Sequence, residues 1–455
     1  MARTLQADYL VVGAGAFGMG FTDALTQHSD ARVVLVDRRH GPGGHWLEAY
    51  PFVRLHQSSC FYGVASTLLG GGALQTSGPE AGLQERASQP EITAYYAEVL
   101  DRMVDSGRVE LMPHSEFDGH RTVTSSTTGE RFEVPESCRI VNAHYLAPSI
   151  PAEVPPPFAV GDGARVLPVN DLPRLEEAPS QLVVVGSGKT ATDAIVWLLA
   201  HGTDPGAICW VRPRDPWMLD RARVQPDPAV FLGLAADIIR SVASSSTVDD
   251  AFLRMEDAGA MMRIDRSVTP TMAKAPTLAQ WELDELRTVE DVVRLGHVRS
   301  VGRGRLELDE GSVRIADDAL VVHCAADGLK NPPVVPIWRP SDITIQPVRA
   351  GFPSLGAALV GYVEATRGDD AEKNRVCGPS NYGNSLQQWA SMNLLGTRNA
   401  RAFSAEPDIK EWADGLALNP ARVPPGYAGS AALDEARGTL AEYTAPALAK
   451  LAAYS

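Results

Sequence analysis

A glycine fingerprint that occurs twice constrains this chain more than any other feature. In the first copy the apolar run Tyr9-Leu10-Val11-Val12 ends in Gly13-Ala14-Gly15-Ala16-Phe17-Gly18. A helical pattern follows over 17–27, and Arg32-Val33-Val34-Leu35-Val36 returns as a strand ending at Asp37. In the second copy Leu182-Val183-Val184-Val185 runs into Gly186-Ser187-Gly188-Lys189-Thr190-Ala191, then a helix over 190–201 and a strand over 207–211. Short apolar runs ended by glycine read as buried parallel strands, and strand, glycine loop, helix and strand together form the unit that grips a dinucleotide. The first glycine allows a tight turn, the second lets backbone approach a pyrophosphate, and the third position lets helix and strand pack closely. The N–H groups at the helix start then face the phosphates. The pattern predicts an α/β protein with two Rossmann-like dinucleotide-binding domains.

The strand ends distinguish the two nucleotides. Asp37 stands where an acid accepts hydrogen bonds from both ribose hydroxyls. It is followed by Arg38, then Gly43-Gly44-His45-Trp46, Tyr50-Pro51 and Arg54-Leu55-His56-Gln57-Ser58. Glycines there let backbone run close to a flat ring or to phosphates, and Trp46 is placed to cover the ring; ordinary core packing is the other reading of Trp46 and Tyr50. The second unit ends in Val211-Arg212-Pro213-Arg214, with no acid at its tip. Arginine suits a 2′-phosphate through charge-assisted hydrogen bonds, so NADPH is expected there, held by Gly186, Ser187, Gly188, Lys189, Thr190, Arg212 and Arg214.

The order of G-x-G-x-x-G, strand-end acid, Gly-Gly-x-Trp and Tyr-Pro resembles the FAD half of the class B flavin-dependent monooxygenases, the group of flavin-containing, N-hydroxylating and Baeyer–Villiger monooxygenases. The second fingerprint resembles their NADPH-binding insertion. The resemblance implies FAD at Gly13, Gly15, Ala16, Phe17, Gly18, Asp37, Arg38, Gly44, His45 and Trp46. It also implies a contact from Asp327, because Ala326-Asp327-Gly328 stands where the family carries Ala-Thr-Gly. It divides the chain into a first part of the FAD domain over 1–175, an NADPH domain over 176–318 with a mostly helical insertion at about 228–286, and the rest of the FAD domain with a C-terminal tail over 319–455. The chemistry implied is hydride flow from NADPH to FAD, then O₂ activation as a C4a-(hydro)peroxyflavin that oxygenates a small organic substrate.

Two departures refine that expectation. The stretch 158–171, where the family carries a histidine motif, contains no histidine, and the position of the Baeyer–Villiger aspartate falls by counting on His56. A neutral or cationic imidazole there could donate a hydrogen bond, with Gln57 a second candidate contact; a histidine satisfied by backbone is the other reading, and hydroxylation of N or S is favoured over Baeyer–Villiger insertion. A flavin NAD(P)H:acceptor oxidoreductase without oxygen insertion, or a degenerate nucleotide-binding redox sensor, are the alternatives.

Bulk properties exclude other classes. A formal charge of -15 argues against nucleic acid and anionic membranes as partners. No apolar run reaches the ~20 residues of a membrane span, and 1–8 lacks a signal peptide's apolar stretch, so a cytoplasmic location is expected. The five cysteines include no C-x-x-C pair and no metal-ligand cluster, so the redox-active pair of a flavin disulfide reductase is not visible. Small-molecule substrate and O₂ are the expected partners; nothing in the residues specifies an oligomeric state.

Overall fold

A computed structural model describes residues 3–326 and 328–455. Two all-parallel five-stranded sheets organise it. The first has the order Asp342–Thr344, Arg139–Asn142, Tyr9–Val12, Val33–Val36, Val109–Met112, and the second Arg165–Pro168, Leu320–His323, Leu182–Val185, Ile208–Val211, Val292–Val293. In each, the middle strand leads through a glycine loop into a helix, Ala16–Gln27 or Lys189–Ala200. Strands covered on both faces read as unbroken apolar runs, and Leu182–Val185 and Val33–Val36 are buried throughout. A four-stranded sheet accompanies each unit. One joins Ser115–Phe117, Thr122–Ser125 and Arg131–Glu133 to Arg3–Thr4; the other joins Val298–Gly302, Arg305–Leu308 and Gly311–Arg314 to Ala159–Val160. The duplication thus extends well beyond the glycine loops.

The boundaries differ from those expected. Leu320–His323, expected to reopen the first domain at 319, lies between Arg165–Pro168 and Leu182–Val185 in the second sheet. The second unit therefore starts before 176, at Arg165–Pro168, and the chain re-enters the first sheet only at Asp342–Thr344. A four-residue apolar run fits any interior parallel position, so composition does not say which sheet receives it. The insertion at 228–286 contains the expected helices, Pro228–Ala243, Val248–Asp257 and Gln280–Leu286. It also contains Met261–Arg263 and Met272–Leu278, which flank Pro216–Asp220 in a small sheet.

Later helices close the first unit. Pro353–Thr366 lies along Ala16–Gln27 so tightly that a Cβ on Gly361 would sit 2.4 Å from the Phe21 carbonyl oxygen. The expected helix near 386–402 is Leu386–Ser404, and the tail folds into Ala431–Tyr454 along Pro228–Ala243. The largest apolar core joins the first unit to this helical cap, and a second fills the other unit. No helix among the described residues is long and apolar enough to cross a membrane.

Candidate dinucleotide and reaction site

The first loop is shaped by close approach. Gly13 has φ +107°, and its N–H donates to the Val36 carbonyl at 2.8 Å. A Cβ on Gly18 would lie 1.8 Å from the Gly13 oxygen, so only glycine fits. Gly44, at φ +58°, comes so near Gly15 that its Cβ would sit 2.9 Å from the Gly15 Cα. The helix Ala16–Gln27 has Gly15 as its N-cap, no side-chain cap and no acid in its first turn. Lys189–Ala200 is alike, with Gly188 at its N-cap. By contrast, Asp227, Thr247, Ser385 and Ser430 cap the helices Pro228–Ala243, Val248–Asp257, Leu386–Ser404 and Ala431–Tyr454. Unpaired N–H groups at a glycine-lined helix start form an anion site, and both fingerprints keep theirs open.

Asp37 is buried, and its carboxylate accepts the Ala14 N–H at 2.7 Å and the Arg39 N–H at 2.9 Å. It braces the loop with one lone pair on each oxygen and retains others for a ribose. Ala16 and Phe17 form the half-buried first turn. Arg38 is exposed and drawn to Glu153 at 2.8 Å, which Arg39 also contacts, rather than left free for the nucleotide. His45 is held neutral, its pKa pushed down to about 4 by burial and by Arg39. Trp46 is buried in the core, its indole N–H donating to the Tyr62 hydroxyl at 2.6 Å. Asp327 lies outside the described residues.

The second loop repeats the turn with different support. Gly186 has φ +145°; its N–H donates to Val211 at 3.0 Å, and its carbonyl accepts the Trp210 indole N–H at 2.8 Å. Arg212 is buried with its guanidinium 4.3 Å from the Trp210 ring centroid. It pairs with Asp215 at 2.9 Å, and its Nη1 has no hydrogen-bond partner. Burial lowers its pKa to about 10. The acid absent from the strand tip thus stands at Asp215, claimed by both Arg212 and Arg294. Arg214 is exposed, and Ser187 and Thr190 are half-buried. Lys189 departs from expectation: it is committed to Asp193 and, at 3.6 Å, to Glu282, not left for a phosphate.

The two units meet through the segment after Gly44. The Tyr50 hydroxyl donates to Asp193 at 2.7 Å, and Phe52 stacks on Trp197 with centroids 5.1 Å apart. Beyond them, the His56 carbonyl accepts from Arg221 Nε at 2.9 Å and from the Thr277 hydroxyl. Arg221, 1% exposed, is held between Glu80 and Glu282, and Glu80 also receives Arg86 at 2.8 Å and Trp281 at 3.1 Å. Burial first, then Lys189, Arg221 and Arg86, push the His56 imidazole down to about 3, and its Nδ1 has no partner. Burial and these cations favour the neutral imidazole at His56 over the cationic one. Gln57 is buried next to it. This ionic cluster joins four separate stretches of chain, and no local pattern in any of them announces it. Among the described residues no group of three or more His, Cys, Asp or Glu could hold a metal, and all five cysteines are free and buried.

Comparison with known proteins agrees with this geometry. Residues 11–63 match the family described as NAD(P)-binding Rossmann-like domain. The whole chain resembles the open crystal structure of cyclohexanone monooxygenase, with a TM-score of 0.52 and 17% identity over 90% of this chain and 99% of that one. It also resembles the ε-caprolactone-bound enzyme in its loose conformation, with a TM-score of 0.51 and 16% identity over 88% and 98%. At that identity the likeness is one of fold: two Rossmann-like lobes with helical insertions, as in class B flavin monooxygenases. Nearer in sequence are uncharacterized proteins of Mycobacterium tuberculosis and Mycobacterium bovis, each 39% identical over 422 residues, covering 92% of this chain and 78% of theirs. This chain belongs to one family with those mycobacterial proteins, and it carries the class B flavin-dependent monooxygenase fold.

Proposed function

We propose that the protein is an FAD- and NADPH-dependent monooxygenase that uses O₂ to hydroxylate N or S of a small organic substrate. The observation that carries this reading is the pair of uncapped glycine-lined helix starts in one chain, joined by the Tyr50–Asp193 hydrogen bond. The close approach of Gly44 to Gly15 and the braced Asp37 fit an adenine dinucleotide at the first loop. The unpartnered Nη1 of Arg212, buried beside the second strand end, fits a 2′-phosphate. Bound flavin would supply the acceptor for hydride and the activation of O₂.

The chain's own contribution is then positional and electrostatic. Gly13, Gly15 and Gly18 with the first helix start, and Gly186 and Gly188 with the second, hold the diphosphates. Tyr50 and Phe52, by gripping the second helix, set the distance between the two carriers. His56, neutral across the working pH range, donates a hydrogen bond from a ring N–H without bringing charge. The ring N–H can orient an oxygen atom beside it without adding charge, whereas a carboxylate at the same place would bring a negative charge and no donor.

The test is a visible spectrum of the purified protein, with NADPH added anaerobically and air readmitted in the presence of amines and thioethers. The expected result is a yellow protein that NADPH bleaches and whose oxygen uptake matches hydroxylated product. Recovery of all oxygen as peroxide would assign an NAD(P)H:acceptor reductase instead. A colourless protein that takes up no added FAD would end the reading.

A further inference from the structure

The chain leaves the first sheet for the last time after Asp342–Thr344. Thr344 lies beside Asn142 and Asn142 beside Val12, all in parallel register, so 345–352 emerge at the same sheet edge as the Gly13 loop. Ligands of α/β proteins bind at that edge. This connection carries Arg349. Arg349 is half-buried, and burial lowers its pKa to about 10; among the described residues no carboxylate pairs with it. Other interior arginines carry carboxylates: Arg86 holds Glu80, Arg139 holds Glu364, Arg221 holds Glu282 and Arg294 holds Asp215.

The Arg349 side chain meets an aromatic cluster. Its guanidinium lies 6.0 Å from the Phe231 ring centroid. Phe231 meets Phe61 at 6.2 Å and Phe352 at 5.5 Å, and Phe61 meets Phe352 edge-on at 5.2 Å. Phe61 follows closely on His56, and Phe231 belongs to the helical cap. The backbone just before Arg349 is tied down: the Ser380 N–H donates to the Pro347 carbonyl at 2.6 Å, while Asn399 donates to Val348 at 3.0 Å and to Gly378 at 2.7 Å. These bonds fix a loop whose Ser380 Oγ and Asn381 Oδ1 are buried without partners.

We propose that Arg349 is the anion anchor of the substrate site: it takes the carboxylate of an apolar organic acid whose hydrocarbon body packs against Phe61, Phe231 and Phe352. A guanidinium matches a carboxylate with two parallel hydrogen bonds, and a cation taken from water without a counter-charge gains most when the anion arrives. The proposal names the substrate class of the site read above and rests on that reading for the reaction, but its binding claim stands without it.

The probes are phenylacetate and benzoate against phenylacetamide and benzamide, which share shape and differ in charge. Binding is read by melting temperature and by the flavin difference spectrum of the purified protein, for the natural chain, R349Q and R349K. The natural chain is expected to bind the acids roughly tenfold to a hundredfold more tightly than the amides. R349Q should erase that preference and R349K keep part of it, with FAD content unchanged. Equal binding of acid and amide by the natural chain, a result that needs no variant, overturns the proposal. So does a preference that survives R349Q. Loss of FAD from R349Q with acid selectivity intact also overturns it and assigns Arg349 to the flavin. A colourless protein that still prefers the acids supports the anchor and fails only the FAD reading.

Discussion

The two dinucleotide units share a plan down to the strand beside the glycine loop, and they differ in what holds that loop. In the first, support comes from backbone and one acid: Gly18 presses on Gly13, Gly44 presses on Gly15, and Asp37 braces Ala14. In the second, side chains of the following strand do that work: Trp210 donates to Gly186, and Arg212 lies on Trp210. The third fingerprint position shows the same contrast. Gly18 has no space for a Cβ, whereas Ala191 is fully buried with its methyl accommodated. One helix is seated tightly against its loop and the other by a methyl's width more loosely. On the proposed reading, the tight unit would suit a cofactor kept through every turnover, and the looser one a carrier that enters and leaves.

The largest expected effect breaks this comparison most directly. Gly18→Ala should cost about 3 kcal/mol or more, because the Gly13 carbonyl cannot move without losing the turn. Its mirror, Ala191→Gly, should cost about 1 kcal/mol, the ordinary penalty of glycine in a helix. Melting curves and the FAD-to-protein ratio measure both. If the first variant keeps full FAD and melts near the natural chain, the two helices are seated alike.

Cofactor choice sharpens the contrast at the strand ends. Arg212→Gln keeps a donor and removes the charge, so kcat/KM with NADPH should fall roughly tenfold to a hundredfold while that with NADH changes little. Steady-state rates with both nucleotides decide it. An equal fall with both would make Arg212 a support for Trp210 and Gly186 and not a phosphate ligand.

The sequence disclosed both loops because their physics is local: a turn needing positive φ, a helix start needing no cap, and a strand end within the same unit. It disclosed the tail of the fold poorly. The run Leu320-Val321-Val322 is as apolar as Leu182–Val185, and membership of a sheet is decided by long-range pairing that so short a run does not encode. Lys189 looked available because the residues that claim it differ in visibility: Asp193 is one helical turn on, but Glu282 arrives from the cap. Asp215 stands beyond the strand tip, and only folding brings it onto Arg212. Arg349 gives no signal, since its meaning comes from the packing around it, which spacing along the chain does not show.

The segment linking the units carries two neutral histidines, which makes acid a probe of it. His56 titrates at about 3 and His45 at about 4 when folded, against 6.5 for both when exposed. Between those values the unfolded chain binds protons that the folded one refuses. The stability due to each neutral ring is therefore complete above pH 6.5 and declines as pH falls toward the folded values, by at most about 1.4 kcal/mol per pH unit for each ring. His56→Gln should remove one ring's share of the slope in urea unfolding followed from pH 7 to 5. An unchanged slope would mean that His56 reaches water freely.

The smallest expected effect tests whether the units communicate through the contact that joins them. Tyr50→Phe deletes one hydroxyl and leaves Phe52 on Trp197 and Lys189 on Asp193, so neither unit loses its own support. The loss in stability should be about 1 kcal/mol, the net worth of one hydrogen bond. Asp193 keeps its lysine, so no unpaired charge is left behind. If the bond only staples two folded units, melting should drop slightly and the rate at which NADPH bleaches the flavin should not change. If it sets the spacing of the carriers, that rate should fall several-fold with NADPH affinity preserved, since misplacement of reacting atoms acts on the chemical step and not on binding. Stopped-flow reduction without air separates the two. A faster rate would show that the bond holds the units apart from their productive arrangement, and that the tight and the loose unit must slide past one another in each cycle.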